Sequence, residues 1–195
     1  MKAYYHARAR EYDDWWLGRG LYTPKVQPGW TEERDLAFET VASLHPKRTL
    51  DVACGTGHVT RHLRGEVVGL DQSEAMLEVA REQAAAATYV QGDGLELPVE
   101  DGSFERVFTS HFYGHLEEDE RLRFLAEARR VAPELVVFDA ALHGGHERGE
   151  WQERVLNDGT RWTVYKRFFT GEALLAELGG GTILHEGRWF VLVAA

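Results

Sequence analysis

Three aspartates, Asp51, Asp71 and Asp93, stand 20 and 22 residues apart, each closing a short apolar or β-branched run. Asp51 leads into a turn of small residues that ends in Gly55-Thr56-Gly57. Glycine serves where the backbone must take positive φ or let a ligand come close. Repeat spacing of this size is one strand–helix–strand unit, so the three carboxylates should line one rim at the carboxyl ends of parallel strands. A carboxylate about 20 residues past a glycine turn is placed to accept hydrogen bonds from a ribose diol, which fits Asp71. Asp93, one strand further out, could accept from the exocyclic amine of a base. A negative charge at Asp51, under the turn, is wrong for a pyrophosphate and suits a ligand end carrying an amino group. The dinucleotide pattern G-x-G-x-x-G also needs a third glycine, where this chain has Thr60.

The elements needed to hold these residues follow from periodicity. Strands are expected at 48–52, 66–70, 88–91, 104–109 and 135–139, near-continuous in apolar character, as in a parallel sheet covered on both faces. Helices are expected at 56–63, at 74–86 behind a Ser73 cap, and at 117–132, stopped by Pro133. Upstream, residues 4–17 read as a helix with Tyr5, Ala9, Tyr12 and Trp16 on one face. A loop at Thr23–Trp30 and a helix capped by Thr31 come next. Downstream, 161–169 is extended, Thr170 caps a short helix, and residues 182–194 form two strands turned at Glu186-Gly187, necessarily antiparallel.

Bulk properties bound the function. At 195 residues, 44% of them apolar, one ordinary globular domain is expected. Residues 1–45 would form a helical cap and 46–195 the ligand-binding core. The single cysteine, Cys54, leaves no internal disulfide and fits a cytoplasmic protein. No apolar run is long enough to cross a membrane, and Met1–Tyr4 opens no signal-peptide core. A net charge of −10 without a Lys/Arg-rich run argues against a nucleic-acid partner.

As a set, DVACGTG, VVGLDQSEAMLEVAR and QGDGLELPVEDGSFERVFTSHFYGHL resemble the successive motifs of the class I S-adenosylmethionine-dependent methyltransferases, and the resemblance covers residues 31–195. It implies an α/β, three-layer Rossmann-like sandwich. Its seven-stranded, mostly parallel sheet would have the order 3-2-1-4-5-7-6, with strand 7 antiparallel. It also implies S-adenosyl-L-methionine as cofactor. By the same resemblance, Asp51, Ala53, Gly55 and Gly57 shape the turn around the methionine moiety. Asp71 binds the ribose hydroxyls, with Gln72 and Met76 against the adenine. Asp93 meets the adenine amine, Gly94 and Leu95 its ring edge, and Ser110 the sulfonium end. Ala53 stands where many family members carry glycine, a small change that leaves binding open.

Methyl transfer to a hydroxyl or a protonated amine is helped by a general base, and His111 and His115, just past the fourth strand, are the candidates. The alternative is that both are ordinary loop or helix-face histidines. Their i, i+4 spacing lacks the flanking acid of a metal motif, so no metal site is expected. His143 and His146 lie in a glycine-rich loop and read as solvated. Tyr12, on the first helix, is the candidate lid over the cofactor, against a reading in which that helix only packs. Trp30, Trp151, Trp162 and Tyr165 could line an acceptor pocket or the core. Ser110-His111-Phe112-Tyr113 stands where amino-methylating nucleic-acid enzymes of the class carry N/D-P-P-Y/F, which favours a small-molecule acceptor. Two rivals stay open: a regulatory protein that binds S-adenosylmethionine without catalysis, and a nicotinamide-dependent oxidoreductase. Oligomeric state is not legible.

Overall fold

Strands β1 (Thr49–Val52), β2 (Val67–Asp71), β3 (Thr88–Gln91), β4 (Arg106–Ser110) and β5 (Glu134–Ala140) run parallel in the computed structural model. The structure describes residues 2–25 and 27–195. Met1 and Val26, the latter within the loop expected at Thr23–Trp30, lie outside the described residues. A separate ribbon is formed by β6 (Gly149–Val155) and β7 (Arg161–Arg167), and the sheet is completed by β8 (Thr182–Glu186) and β9 (Phe190–Ala194). The main sheet has the order β3-β2-β1-β4-β5-β9-β8, and β9 is antiparallel to both its neighbours. With the ribbon set aside, this is the seven-strand order and antiparallel strand expected from the motifs.

Alternate residues of the central strands sort into two cores, as the period of two requires. Val107, Leu135, Val137, Val191 and Val193 join one cluster with Phe124 and Leu125 of α5 (Glu118–Val131) and Leu174 of α6 (Gly171–Glu177). Phe108, Val136, Phe138, Phe190 and Leu192 join the other, with Ala37, Phe38 and Val41 of α3 (Trp30–Ser43) and Trp16. A sheet with an apolar core on each face gives the three-layer α/β sandwich.

Four local expectations are corrected. The helix at 4–17 is broken into α1 (Lys2–Arg8), a 3-10 turn Ala9–Glu11 and α2 (Asp14–Leu17), which Gly18 closes at φ 60°. A run rich in aromatics with adjacent aspartates has weak helix propensity, and Asp13 is drawn instead to Thr56, whose hydroxyl it accepts at 2.5 Å. No full helix follows the glycine turn: only a 3-10 turn, Thr60–His62, forms there. The left-handed Gly57, at φ 74°, and the diversion of the Thr56 and Thr60 hydroxyls to Asp13 and Asp51 keep that segment irregular. Gly29, not Thr31, caps α3. The glycine-rich stretch read as a loop continues into β6, which zips onto β7 with Gly149 opposite Arg167. The Ser73 cap of α4 (Glu74–Gln83) and the Thr170 cap of α6 form as expected, each side chain accepting a backbone N–H at the third following residue.

Candidate active site

The turn after β1 is built from left-handed residues: Ala53 at φ 58°, Gly55 at 56° and Gly57 at 74°. For an L-residue such as Ala53 that conformation costs about 1–2 kcal/mol, which explains why glycine fits this position easily. A side chain at Gly57 would meet the Tyr89 hydroxyl at 3.0 Å and Ala84 at 3.2 Å, so this glycine lets the turn seat on α4. Gly55 looks outward, with only the Tyr12 ring, 3.9 Å from where its Cβ would stand, across from it.

Beneath the turn lies Asp51, 1% exposed. Its Oδ2 accepts from the Thr60 hydroxyl at 2.6 Å, while Oδ1 is buried with no partner among the described residues. Burial, reinforced by the nearby Asp71 and opposed by the Thr60 hydrogen bond, raises its pKa to about 7. Thr60 therefore does more than break a dinucleotide pattern: among the described residues it is the side-chain donor that holds Asp51. Asp71 is tied differently. Its carboxylate accepts from the Gly55 N–H at 3.0 Å and the Ser73 N–H at 2.8 Å, joining the turn to the start of α4. Burial raises its pKa against those bonds.

A cleft of about 380 Å³ opens above these strand ends. Ala53, Gly55, Asp71, Gln72 and Met76 line one side, Asp93, Gly94 and Leu95 the next, and Ser110, His111 and His115 the far end. Tyr12 lies on its rim with Tyr5. Of the residues expected at the site, Asp51 and Gly57 do not line the cleft; they sit behind the turn. Asp93 is exposed and its Oδ1 accepts from the Leu95 N–H at 2.9 Å, which turns the chain toward the cleft. Gly94 passes so close to Val52 and Phe112 that a side chain there would sit 2.9 Å from Val52. The Ser110 hydroxyl is buried without a partner among the described residues. The Asp71 and Asp93 carboxylates, an apolar floor and two unanswered polar atoms on residues of the cleft, Ser110 Oγ and His111 Nε2, fit an adenosyl group whose cationic amino-acid end lies over the turn above Asp51.

The two histidines differ in their surroundings. His111 takes the left-handed conformation at φ 52° and stands edge-on to Trp15 and Trp16, each ring 5.0 Å away. Its Nδ1 lies 3.8 Å from Asp139 Oδ1. Burial, then the charge of Lys166, lower its pKa to about 3, with Asp139 opposing. His115 closes the 3-10 turn Tyr113–His115, and its Nδ1 is 2.5 Å from the Tyr165 carbonyl oxygen. A carbonyl can only accept, so the proton sits on Nδ1 and the Nε2 lone pair is left free. Burial and Lys166 hold the His115 pKa well below the usual histidine value, so the ring is neutral at pH 7.

Asp139, fully buried at the end of β5, organises this corner. It accepts from Lys166 Nζ at 2.5 Å, from the Gly114 N–H at 2.8 Å and from the Ala140 N–H at 2.7 Å. A side chain at Gly114 would come within 2.8 Å of Asp139 Oδ1 and 2.7 Å of the Arg167 carbonyl, so only glycine lets the turn approach. The sequence marks Asp139 only as the end of the fifth strand, although it stands at the end of its strand as Asp51 and Asp71 do at the ends of theirs.

A second cavity, about 250 Å³, adjoins the first and shares Tyr5, Tyr12, His111 and His115 with it. The β6–β7 ribbon stands between them. Trp151, Thr163 and Tyr165 line the cleft, while their neighbours Gln152, Arg154, Val164 and Lys166 line the second cavity. Strand alternation thus supplies both walls from one ribbon. Trp30, His143 and His146 belong to the second cavity, so those two histidines are not simply solvated. Trp162 lines neither and packs near Tyr4, with ring centroids 5.9 Å apart. No group of three or more His, Cys, Asp or Glu among the described residues could hold a metal ion.

Residues 50–134 match a family model described as a methyltransferase domain. A demethylmenaquinone methyltransferase of Thermotoga maritima is 35% identical over 106 residues, which cover 52% of this chain and 45% of that protein. One from Staphylococcus aureus is 48% identical over 69 residues, 31% of this chain and 29% of that protein. The chain thus spans less than half the length of these relatives. Among solved structures, the DhpI-SAM-HEP complex superimposes with a TM-score of 0.77 at 25% identity, covering 98% of this chain and 94% of that one. The PH0226 protein from Pyrococcus horikoshii shares the fold, with a TM-score of 0.64 at 20% identity, covering 100% of this chain and 98% of that one.

Two stability profiles follow. The folded pKa of His111, about 3, lies below its unfolded value near 6.5, so acidification from pH 6.5 toward 3 protonates the unfolded chain first. Stability is lost over that window with a slope of up to about 1.4 kcal/mol per pH unit from this group. Chemical denaturation of His111→Asn, a residue that tolerates the left-handed backbone, should show a shallower acid slope than the wild type; parallel slopes would contradict the assignment. Asp51 has the opposite sign. Its folded pKa, about 7, is above the unfolded value near 3.8, so its contribution is intact below pH 3.8 and lost as pH rises through 7. Asp51→Asn should therefore gain stability over the wild type, increasingly between pH 4 and 8. A difference that does not change with pH would count against a raised Asp51.

Proposed function

We propose that this chain, a class I S-adenosylmethionine-dependent methyltransferase by motif and fold, transfers a methyl group to a small-molecule acceptor. The observation that carries the reading is the pair of adjoining cavities: one bears the row of strand-end carboxylates, and the two meet at Tyr5, Tyr12, His111 and His115. When bound, S-adenosylmethionine supplies a methyl group activated by a sulfonium, so the hard chemistry belongs to the cofactor. What is left to the protein is to bind, orient, exclude water and take a proton.

In this reading Asp71 accepts from the ribose hydroxyls, and Gln72, Met76, Asp93, Gly94 and Leu95 hold the adenine. The turn from Ala53 to Gly57, with Asp51 beneath it, receives the amino-acid end. A cationic amino group seated on that turn would favour the ionised form of Asp51 through space. Ser110 faces the sulfonium end, and Tyr12 covers the turn as part of a cap made by residues 1–45. That cap is latched by Asp13, which accepts from Thr56 and lies 3.4 Å from His58 Nδ1.

The acceptor enters through the second cavity and presents its nucleophile at the shared residues. His115, neutral and with Nε2 free, takes the proton of a hydroxyl or amine; His111, enclosed by tryptophans, shapes the wall beside it. No helix among the described residues is long and apolar enough to cross a membrane. With one thiol and a charge of −10, a cytoplasmic enzyme that does not act on nucleic acid is the consistent reading.

Titration of the purified protein with S-adenosylhomocysteine and with NADH, followed by calorimetry, tests the assignment. S-adenosylhomocysteine should bind and NADH should not; the reverse would favour an oxidoreductase. Asp71→Ala should weaken the S-adenosylhomocysteine affinity at least tenfold, ~1.4 kcal/mol. An unchanged dissociation constant would refute the ribose role.

A further inference from the structure

The two cavities have opposite electrostatic characters. Four carboxylates line the cofactor cleft, those of Asp71, Asp93, Glu117 and Glu120, against one lysine, Lys2. The second cavity is lined by Arg8, Arg154 and Lys166 and, among the described residues, by no aspartate or glutamate. That is unusual in a chain with 32 acidic and 22 basic residues.

The compensation of these cations is uneven. Lys166 is neutralised by Asp139 behind it, at 2.5 Å. Arg8 is only 8% exposed, yet its hydrogen-bond partner is the Tyr4 hydroxyl, at 2.8 Å, and rings surround it: its guanidinium lies 4.8 Å from the Tyr12 ring centroid and 5.4 Å from that of Tyr22. Its Nε is buried without a partner among the described residues, as is Nε1 of Trp30 on the same cavity. Arg154 is half-buried and bonded to the uncharged Gln152 side chain. Glu153, next to it in the strand, is paired with Arg161, and Glu150, the acid on the same face of the strand, is engaged by Gln152 and His146. Buried cations are normally paired with an acid, and buried N–H donors with an acceptor. Here two guanidinium groups and two orphaned donors face one cavity that adjoins the reacting end of the cofactor cleft.

We infer that the second cavity is the acceptor site and selects a small molecule bearing an oxyanion, carboxylate or phosphoryl, held by Arg8 and Arg154. Guanidinium groups suit such groups because their fork of N–H donors matches two oxygens at once. Aromatic faces hold Arg8 without spending its charge on a carboxylate, so that it stays available to a ligand. The opposed linings also sort the two ligands: a cationic sulfonium is repelled from the second cavity, and an anion from the cleft. The inference rests on the methyltransferase reading only for the word acceptor; the anion preference is a property of the cavity itself.

The test is a tryptophan-fluorescence titration of the protein saturated with S-adenosylhomocysteine, since Trp15 and Trp30 line the cavity. The probes are matched pairs: benzoate with benzamide, and phenylphosphonate with its dimethyl ester. At least one anion should bind about tenfold or more tightly than its uncharged partner, a preference worth a charge-assisted hydrogen bond. Arg154→Gln, on the partly exposed ribbon, and Arg8→Gln should each abolish that preference while leaving the S-adenosylhomocysteine affinity within about twofold. Arg154→Gln keeps the test decisive if Arg8→Gln unfolds the cap. No anion preference in either pair, or a preference that survives Arg154→Gln, would overturn the inference. Failure of S-adenosylhomocysteine to bind would instead strike the methyltransferase reading, and the anion preference can then be measured on the protein alone.

Discussion

A carboxylate buried under a left-handed turn, with one hydroxyl to hold it, is the constraint around which the rest of the site is arranged. Keeping Asp51 out of water moves its pKa from 3.8 to about 7, a penalty on the order of 4 kcal/mol for the ionised form. A protein stable by roughly 5–15 kcal/mol does not keep such a group for the sake of folding. Ala53, in a conformation that an L-residue adopts at a cost, adds to the strain of the same turn. Strain and an unanswered polar atom in one place mark where a ligand contributes what the fold lacks.

The surrounding structure serves to keep that turn in register. β1 and β2 pair so that Asp51 stands beside Gly69, and Asp71 reaches back to the Gly55 N–H. Thr56 fastens the turn to the cap through Asp13, and Gly57 seats it on α4. On the far side, Asp139 gathers the end of β5, the histidine turn and Lys166 of the ribbon into one buried knot. Two rigid anchors therefore face each other across the cleft. The ribbon between them gives one face to each cavity, which is how an acidic cleft and a basic cavity come to share a wall.

Much of this was legible in sequence because it repeats. Aspartates at strand–helix–strand spacing located the rim, and near-continuous apolar runs located the parallel strands that carry it. Legibility failed where tertiary contacts override local pattern. The segment after Gly57 has helical composition, but its threonine hydroxyls are claimed by Asp13 and Asp51. β6 carries Glu150, Gln152 and Arg154 in alternation with Trp151, a pattern hidden by the glycines before it and by the absence of an apolar face. Arg8 and Arg154 are far apart in the chain, and neither lies in a motif. Only folding shows that both face one cavity, and that no acid among the described residues joins them there.

A crystal structure with S-adenosylhomocysteine bound is the most direct measurement of the central claim. The expected result has the ribose on Asp71, the adenine beside Asp93–Leu95, the amino-acid end over the turn from Ala53 to Gly57, and the sulfur directed toward Ser110 and His115. A ligand seated in the second cavity, or one in the cleft with its amino-acid end directed away from the turn above Asp51, would contradict it.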